Sequence, residues 1–358
     1  MLARFEQLGF SHASLKSVLM SWTGRIRKLG GSVAGWLPLP ALELLCDPPV
    51  VAPCYHVVTD RTPVHVKHLF ANRNIPAFRS ELDRLLRRYT PISLQELKAG
   101  HFSGRRLFLS FDDGLREIHD IVAPICLAKG IPATFFVNSA FLDNRELFFR
   151  HKASILCEAC QARESGSVLA ALGELETVRK RIGSGEVEPK SFFLSLRFSD
   201  RGVLDECASR LGIDFREYLK NEQPYLTSDQ LNKLILQGFS VGAHSVDHPL
   251  YSELPLDEQL RQTRQCLLDL SSYIQPGPKS FAFPFVSDGV SPEFFERVFQ
   301  EDIADLIFCI GGIAAQPRAG IIRRFPVEDP KNLAIHDALK KHLRSAARLH
   351  FGSAWTGN

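Results

Sequence analysis

From residue 49 onward, short apolar runs alternate with longer amphipathic segments, and small or turn-forming residues separate them. The apolar runs are rich in β-branched and aromatic residues, which predicts buried strands, whereas leucines at helical spacing predict helices. The predicted strands include 49–58, 107–111, 133–138 and 239–241, and the predicted helices include 81–89, 94–98, 118–129, 228–237 and 256–270. Strands that alternate with helices indicate βα units and an α/β fold.

Three segments stand outside this alternation. Residues 145–225 are mostly polar with a helical pattern, and we interpret them as a helical insertion that forms a lid or a substrate-binding wall. We predict an N-terminal helical extension at 1–48, a main domain at 49–330 that contains the insertion, and a C-terminal helix and tail at 331–358. Basic and apolar residues at 11–29 predict either a helix packed on the main domain or an amphipathic helix on an anionic membrane.

The most informative stretch is 107–114, where a predicted buried strand leads directly into Asp112, Asp113 and Gly114. Adjacent carboxylates repel each other, and burial of either one without a partner is costly. A bound cation removes both problems, because one carboxylate can bind it while the other stays free as a base. An ordinary turn is the alternative interpretation of Asp-Asp-Gly.

Two histidines, His244 and His248, follow another predicted strand and are four residues apart. On one helical turn their Cβ atoms would be about 5–6 Å apart, within reach of a single ion. With Asp113 they would form a site of two imidazoles and one carboxylate with open positions, which suits a catalytic metal. Zinc is the first choice, with nickel, cobalt or manganese as alternatives. Histidines at this spacing are also common without any metal.

Three motifs lie at the ends of predicted strands: Ser-Phe-Asp-Asp-Gly at 110–114, His-Ser-Val-Asp-His at 244–248 and Phe-Ala-Phe-Pro-Phe at 281–285. Together they resemble the polysaccharide deacetylases, the NodB-like carbohydrate esterases, over roughly residues 50–330. Tyr-His at 55–56 is similar to the permuted branch, which includes the poly-N-acetylglucosamine deacetylases. The resemblance implies a distorted, TIM-barrel-like (β/α) barrel of seven strands. It also implies removal of acetyl groups from sugars by a metal-bound water.

The resemblance assigns a role to each matching residue. Asp112 would be the general base, and the backbone N–H of Phe285 would complete the oxyanion hole. The metal ligands would be Asp113, His244 and His248. These roles fit the chemistry, because a metal lowers the pKa of its bound water toward neutrality and a nearby carboxylate can then take the proton.

The third motif departs from the family pattern at Ala282, where the family has an arginine that contacts the catalytic aspartate. Arg323 or Arg324 could supply the missing cation from the end of another predicted strand. We name Arg324 as the candidate partner of Asp112. A solvated strand end is the alternative interpretation of this arginine pair, and the sequence slightly favours it.

The general acid is not found where the common family layout places it, in a late Leu-x-His motif. His336 and His342 lie in a polar segment with a helical pattern, which we interpret as a surface helix. His56, near the end of the first predicted strand, is our candidate, because the first and last strands of a barrel are neighbours. A packed structural histidine is the alternative.

Composition narrows the possible functions and locations. A net charge of +3 over 358 residues is too small to indicate nucleic-acid binding. The eight cysteines are scattered and mostly in apolar surroundings, which is typical of reduced core residues. Residues 1–45 lack the long apolar stretch of a signal peptide. We therefore predict a cytoplasmic protein, with 11–29 as a candidate peripheral contact to the inner face of the membrane.

The expected function is that of a metal-dependent hydrolase that removes acetyl groups from N-acetylated sugars. Its substrate would be an acetylated amino-sugar polymer or a lipid-linked sugar. A sugar-binding relative with weakened turnover is one alternative, because Ala282 and the missing late histidine depart from the family pattern. An O-acyl esterase or another deacylase on the same site is a second alternative.

Overall fold

The computed structural model describes residues 37–101, 103–163, 171–172, 188–274, 276–313, 319–328 and 334–353. The segment 11–29, for which we predicted a helix on the main domain or on a membrane, lies outside these residues. None of the helices in the described part of the chain has the length and apolar character needed to cross a membrane.

Seven parallel strands close into a barrel at the centre of the protein, in the order β10-β2-β5-β6-β7-β8-β9. In chain order the strands of the described residues are β1 (Val50–Val51), β2 (Pro53–Tyr55), β3 (Thr90–Pro91), β4 (Arg106–Leu107), β5 (Leu109–Phe111), β6 (Ala133–Val137), β7 (Ser240–Ala243), β8 (Ser280–Ala282), β9 (Leu306–Ile310) and β10 (Ile321–Pro326). The remaining three strands form a small parallel sheet, β1-β4-β3, at the amino ends of β2 and β5. The predicted seven-stranded (β/α) barrel is confirmed.

Phenylalanines fill the interior of the barrel. The rings of Phe108 and Phe136 lie 5.1 and 4.9 Å from the ring of Phe308, and all three side chains are buried. A Cβ atom at Gly242 would lie 2.5 Å from the Phe136 ring and 2.5 Å from the Ser280 Oγ, so the strand that carries the histidine motif requires glycine there. The crowded interior fixes the strands whose carboxyl ends carry the site.

Helices pack around the barrel and bury a larger apolar core between the two layers. The described α-helices are α1 (Leu39–Cys46), α2 (Ile75–Leu86), α3 (Leu94–Ala99), α4 (Ala123–Ala128), α5 (Phe149–Gln161), α6 (Pro189–Ser195), α7 (Arg201–Arg210), α8 (Phe215–Glu222), α9 (Ser228–Leu236), α10 (Leu256–Asp269), α11 (Ser271–Ile274), α12 (Pro292–Gln300) and α13 (Ile335–Ser353). All eight cysteines are buried and none of them forms a disulfide, as their apolar surroundings predicted.

Three predictions about helices need correction. The helix predicted at 81–89 begins at Ile75, because the Asn74 side chain accepts a hydrogen bond from Ala77 N–H and caps it. The helix predicted at 118–129 starts with a π-helical turn at Ile118–Val122, just before Pro124, which has no N–H for regular α-helical bonding. The predicted C-terminal surface helix, α13, buries one face that includes Leu343 against α1.

The insertion lies between β6 and β7 and has an apolar core of its own, which extends to Val57 and Leu115 beside the barrel. Its other members include Phe149, Leu156, Phe193, Leu204 and Tyr225. Near its end, Tyr225 forms an antiparallel bridge with Leu115, and Leu226 N–H donates to Gly114 O at 2.9 Å. The insertion is therefore attached directly to the Asp-Asp-Gly turn. The predicted domain boundaries, including 145–225, stay predictions.

Candidate metal centre and active site

The barrel brings all of the predicted site residues to the carboxyl ends of its strands, where parallel α/β barrels carry their sites. They are His56 after β2, Asp112 and Asp113 after β5, His244 and His248 after β7, Phe285 after β8 and Arg324 near the end of β10. These strands are neighbours or near neighbours around the barrel. Residues far apart in the sequence therefore meet at one rim.

Asp113, His244 and His248 form a buried cluster whose possible ligand atoms all lie within 4.8 Å of one another. Asp113 Oδ1 is 3.5 Å from His244 Nε2 and 3.2 Å from His248 Nε2. The segment that carries the histidines is not the helical turn considered in the sequence analysis. It is a loop in which Ser245 (67°) and His248 (61°) have positive φ angles, and both rings face Asp113.

The orientation of His244 determines which of its nitrogens faces Asp113. His244 Nδ1 lies 2.9 Å from Ala282 O, and because a carbonyl only accepts, Nδ1 carries the hydrogen. His244 Nε2 is then the nitrogen that faces the Asp113 carboxylate, at 3.5 Å from Oδ1. A divalent cation between this nitrogen and the carboxylate could be bound by both. A backbone carbonyl that fixes the tautomer in this way is typical of histidines that bind metals.

A buried oxygen of Asp113 without a hydrogen-bond donor in the described part of the chain also fits a cation at this place. Asp113 Oδ1 is buried, and no hydrogen-bond donor to it lies among the described residues. Burial lowers the pKa of His248 even though Asp113 opposes the effect, so the imidazole is neutral and able to bind a metal. Two imidazoles and one carboxylate suit a divalent transition ion. These residues therefore fit the metal that the motifs implied.

The loops at the site adopt unusual backbone conformations. Asp113 (φ 70°) and Phe285 (φ 56°) join Ser245 and His248 in the left-handed region, which residues other than glycine seldom occupy. Hydrogen bonds hold the histidine loop in this shape: Ser245 Oγ accepts from His248 N–H at 3.0 Å, and the Asn138 side chain donates to the carbonyls of His244 and Ser245. Strain held by surrounding contacts is common at functional sites.

Asp112 has a different environment, because a buried arginine pairs with it. Arg324 Nη1 and Nη2 donate to Asp112 Oδ1 and Oδ2 at 2.7 and 2.8 Å, and Nη1 also donates to Ser110 Oγ at 3.0 Å. Arg324 is 0% exposed, whereas Arg323 is exposed, so the interpretation of this pair as a solvated strand end is wrong for Arg324. The guanidinium expected at Ala282 comes instead from β10.

The Arg324 pair also sets the charge of Asp112. Burial raises the pKa of Asp112, but the charge and the hydrogen bonds of Arg324 act in the opposite direction, and the result lies below the ordinary value. Asp112 is therefore ionised at neutral pH. Each of its oxygens uses one lone pair toward Arg324 and keeps another that can accept a proton.

His56 pairs with an acidic residue that the sequence analysis did not identify. His56 Nδ1 lies 3.1 Å from Glu328 Oε2, and the backbone N–H of His56 donates to Glu328 Oε1 at 2.7 Å. Burial alone lowers the pKa of His56, but Glu328, Asp113 and Asp112 raise it by more, to about 9. The one signal for Glu328 was its position just after β10, which is the barrel neighbour of β2.

The insertion supplies a wall of the site that the sequence analysis also missed. The Phe148 ring lies 4.4 Å from the His248 ring, and Phe285 contacts the same imidazole at 4.5 Å. Phe148 N–H donates to Tyr225 Oη at 2.9 Å, and His151 Nδ1 lies 2.7 Å from that oxygen. The insertion therefore supports one side of the cluster of Asp113, His244 and His248 through aromatic contacts.

Comparison with models of known protein families found no match for this sequence, and comparison with curated proteins found none either. Solved structures do match. The structure of IcaB from Ammonifex degensii aligns with a TM-score of 0.50 and 16% identity, over 84% of this chain and 97% of that one. The chain has the (β/α) barrel fold of the polysaccharide deacetylases. This confirms the fold that the motifs implied, and at such low identity the likeness establishes the fold alone.

Two further structures align less closely. The Streptococcus pyogenes deacetylase PplD in complex with acetate gives a TM-score of 0.49 at 14% identity, over 79% of this chain and 95% of that one. BC0361, a polysaccharide deacetylase from Bacillus cereus, gives 0.46 at 11% identity, over 83% of this chain and 68% of that one.

Proposed function

We propose that this protein is a metal-dependent hydrolase that removes acetyl groups from N-acetylated sugars and cleaves a carbon–nitrogen bond of a linear amide. The observation that carries the proposal is the meeting of three elements at one barrel rim: the cluster of Asp113, His244 and His248, the Asp112–Arg324 pair and the His56–Glu328 pair. Together they provide a metal site, an ionised base and a protonated acid. The three motifs and the barrel fold support the same assignment.

Asp113, His244 and His248 would hold the metal, with zinc as the first choice. A divalent ion bound there would polarise the acetyl carbonyl and lower the pKa of a water molecule. Phe285 lies beside this cluster, and its backbone N–H is our candidate donor to the oxygen on which negative charge develops.

The two pairs divide the proton transfers between them. Asp112, ionised and fixed by Arg324, accepts a proton from the attacking water as the new carbon–oxygen bond forms. His56 is protonated below a pH of about 9 and donates from Nε2 to the departing nitrogen as the carbon–nitrogen bond breaks. Glu328 holds Nδ1 and therefore fixes the ring during this transfer. The products are acetate and a free amino sugar.

A sugar-binding relative without turnover is the main alternative. Ala282 and the missing late histidine motivated that alternative. Arg324 can supply the missing cation and His56 the missing acid, each from another strand. This arrangement favours an enzyme over a binding protein. Asp112 supports the same preference, because a protein that only binds the metal has no need of an ionised base beside it.

Acetate release from N-acetylhexosamine oligomers tests the proposal. The purified protein is assayed with and without chelator, beside Asp112→Asn, and O-acetylated and lipid-linked sugars serve as parallel substrates. We expect release from the N-acetyl oligomers that chelator abolishes and Asp112→Asn reduces at least roughly a hundredfold. Chelator-sensitive release from O-acetyl sugars alone would indicate an esterase, and no release from any acyl sugar would indicate a binding protein.

We also propose a cytoplasmic location, with membrane contact through 11–29.

A further inference from the structure

A cavity of about 510 Å³ lies between the insertion and the loop that carries the two metal histidines. It is lined from the insertion side by α5, α7 and the turns before them, and from the barrel side by Asp247. Pockets of this size hold small organic ligands. None of the residues assigned to the chemistry above lines it. The cavity is therefore a neighbour of the candidate active site and not a part of it.

Two features place the cavity next to the cluster of Asp113, His244 and His248. Asp247 immediately precedes His248 in the chain. On the other side, the Phe149 ring lines the cavity and lies 6.5 Å from the ring of Phe285, which contacts His248 at 4.5 Å. One aromatic side chain thus separates the cavity from the cluster. A ligand longer than a single sugar could occupy both places at once.

The cavity lining combines aromatic rings with charged groups that are already paired. Lys152 Nζ lies 3.1 Å from Glu146 and 2.9 Å from Asp205, and Arg201 lies over the Phe198 ring at 4.1 Å. On the barrel side, a carboxylate oxygen of Asp247 accepts a hydrogen bond from Gln262 at 2.7 Å. Such side chains can still exchange hydrogen bonds with hydroxyl groups, and the rings offer apolar surface to the C–H face of a sugar.

The charges in the lining disfavour an anionic ligand. Three carboxylates, on Glu146, Asp205 and Asp247, outnumber the two cations on Lys152 and Arg201. A carboxylate or phosphate on the ligand would add a further negative charge to this set, whereas a hydroxyl or an ammonium group would not. A neutral or amine-bearing sugar therefore fits better than a uronic acid.

We propose that this cavity is a second saccharide subsite that holds a neutral or amine-bearing sugar residue next to the residue that loses its acetyl group. The inference rests on the proposed function, and it narrows the substrate to an amino-sugar oligomer or polymer. A lipid-linked monosaccharide has no second sugar to place there and gains nothing from the cavity.

Phe198→Ala tests the subsite, with Phe299→Ala as a matched control. Phe198 is partly exposed in the cavity, and Phe299 is 36% exposed on α12, near the amino end of β10. Values of kcat/KM for acetate release are measured with N-acetylglucosamine and with its tetramer. We expect the wild type to prefer the tetramer, the ratio of the two values to fall roughly tenfold in Phe198→Ala, and the ratio to stay at the wild-type value in the control.

A binding measurement separates this inference from the proposed function. Calorimetric titration with the fully de-N-acetylated glucosamine tetramer needs no turnover, and we expect Phe198→Ala to weaken binding roughly tenfold. Binding that depends on Phe198 without any acetate release would support the subsite and refute the deacetylase. Acetate release with the same tetramer preference in wild type and Phe198→Ala would refute the subsite and leave the deacetylase intact. Equal affinity for the glucosamine tetramer and for a tetramer of uronic acids would refute the charge argument. Asp205→Asn provides an independent variant if Phe198→Ala does not fold.

Discussion

The two adjacent buried carboxylates, Asp112 and Asp113, have different partners on the two sides of the Asp-Asp turn. On the Asp112 side, formed by Ser110, Asp112 and Arg324, a guanidinium supplies the opposite charge within the fold. On the metal side, formed by Asp113, His244 and His248, an oxygen and two imidazole nitrogens face one another, and no hydrogen-bond donor to that oxygen lies in the described part of the chain. A carboxylate that the fold neutralises is ready to act as a base. A buried carboxylate that faces two imidazole nitrogens fits the binding of a cation.

The largest expected effect follows from removal of a ligand on the metal side. His244→Ala removes one imidazole from the cluster, and we expect metal content to fall well below one ion per chain and acetate release to fall at least about a hundredfold. Elemental analysis of the purified protein and the acetate assay provide the two measurements. His336→Ala, at an exposed position of α13, is the matched control and keeps both values. A full equivalent of metal in His244→Ala would contradict the difference between the two sides.

A large loss of stability is expected on the Asp112 side. Arg324→Met leaves Asp112 as a buried carboxylate without its cation, and we expect the free energy of unfolding to fall by about 3–5 kcal/mol. Urea denaturation measures this change, and metal content should stay near the wild-type value. Arg323→Ala removes the exposed neighbour and should change stability by no more than about 0.5 kcal/mol. Equal effects of the two substitutions would show that the buried pair does not stabilise the site.

The pH dependence of turnover tests the proposed role of His56 as the general acid. The pKa of His56 is about 9, so the proton is present below that pH and lost above it. Because the folded-state value exceeds the ordinary one, the stability that the His56–Glu328 pair contributes is complete below the unfolded pKa and is lost as the pH rises through about 9. Glu328→Gln removes the main cause that raises the pKa, so the alkaline limb of kcat should move to lower pH by about one unit or more. Glu301→Gln, at an exposed surface glutamate, should leave the limb in place.

Local patterns in the sequence predicted the site residues that follow apolar strands or belong to short motifs. Asp112 and Asp113 end a strand whose apolar pattern is local, and His244 and His248 lie in one short loop. Arg324, the partner of Asp112, lies in β10, and Glu328, the partner of His56, lies just after it. Both contacts depend on how the barrel closes. Arg323 and Arg324 were both candidates because sequence alone does not show which of two neighbouring strand residues points inward.

Other parts of the site depended on contacts that leave no local pattern. Glu328 had only its position after the last strand to suggest a role, and that role requires the pairing of β10 with β2. Phe148 belongs to the insertion, and nothing near it in the sequence shows which barrel loop it meets. His244 and His248 lie together with Asp113, but in a loop and not on the helical turn considered from their spacing, because positive φ angles at Ser245 and His248 cannot be inferred from spacing.

The smallest effects are expected from two serines that hold equivalent places on the two sides. Ser110 Oγ accepts from Arg324 at 3.0 Å, and Ser245 Oγ accepts from His248 N–H at 3.0 Å. Substitution of either by alanine should lower the free energy of unfolding by about 1–2 kcal/mol, since each change removes one acceptor from a buried donor. Only Ser245→Ala should weaken metal binding, by roughly threefold to tenfold in a competition titration with a chelator, because only that serine orders a ligand loop. If Ser110→Ala weakened metal binding as much, the two carboxylates would act as one coupled unit, and their separation into a base and a ligand would be wrong.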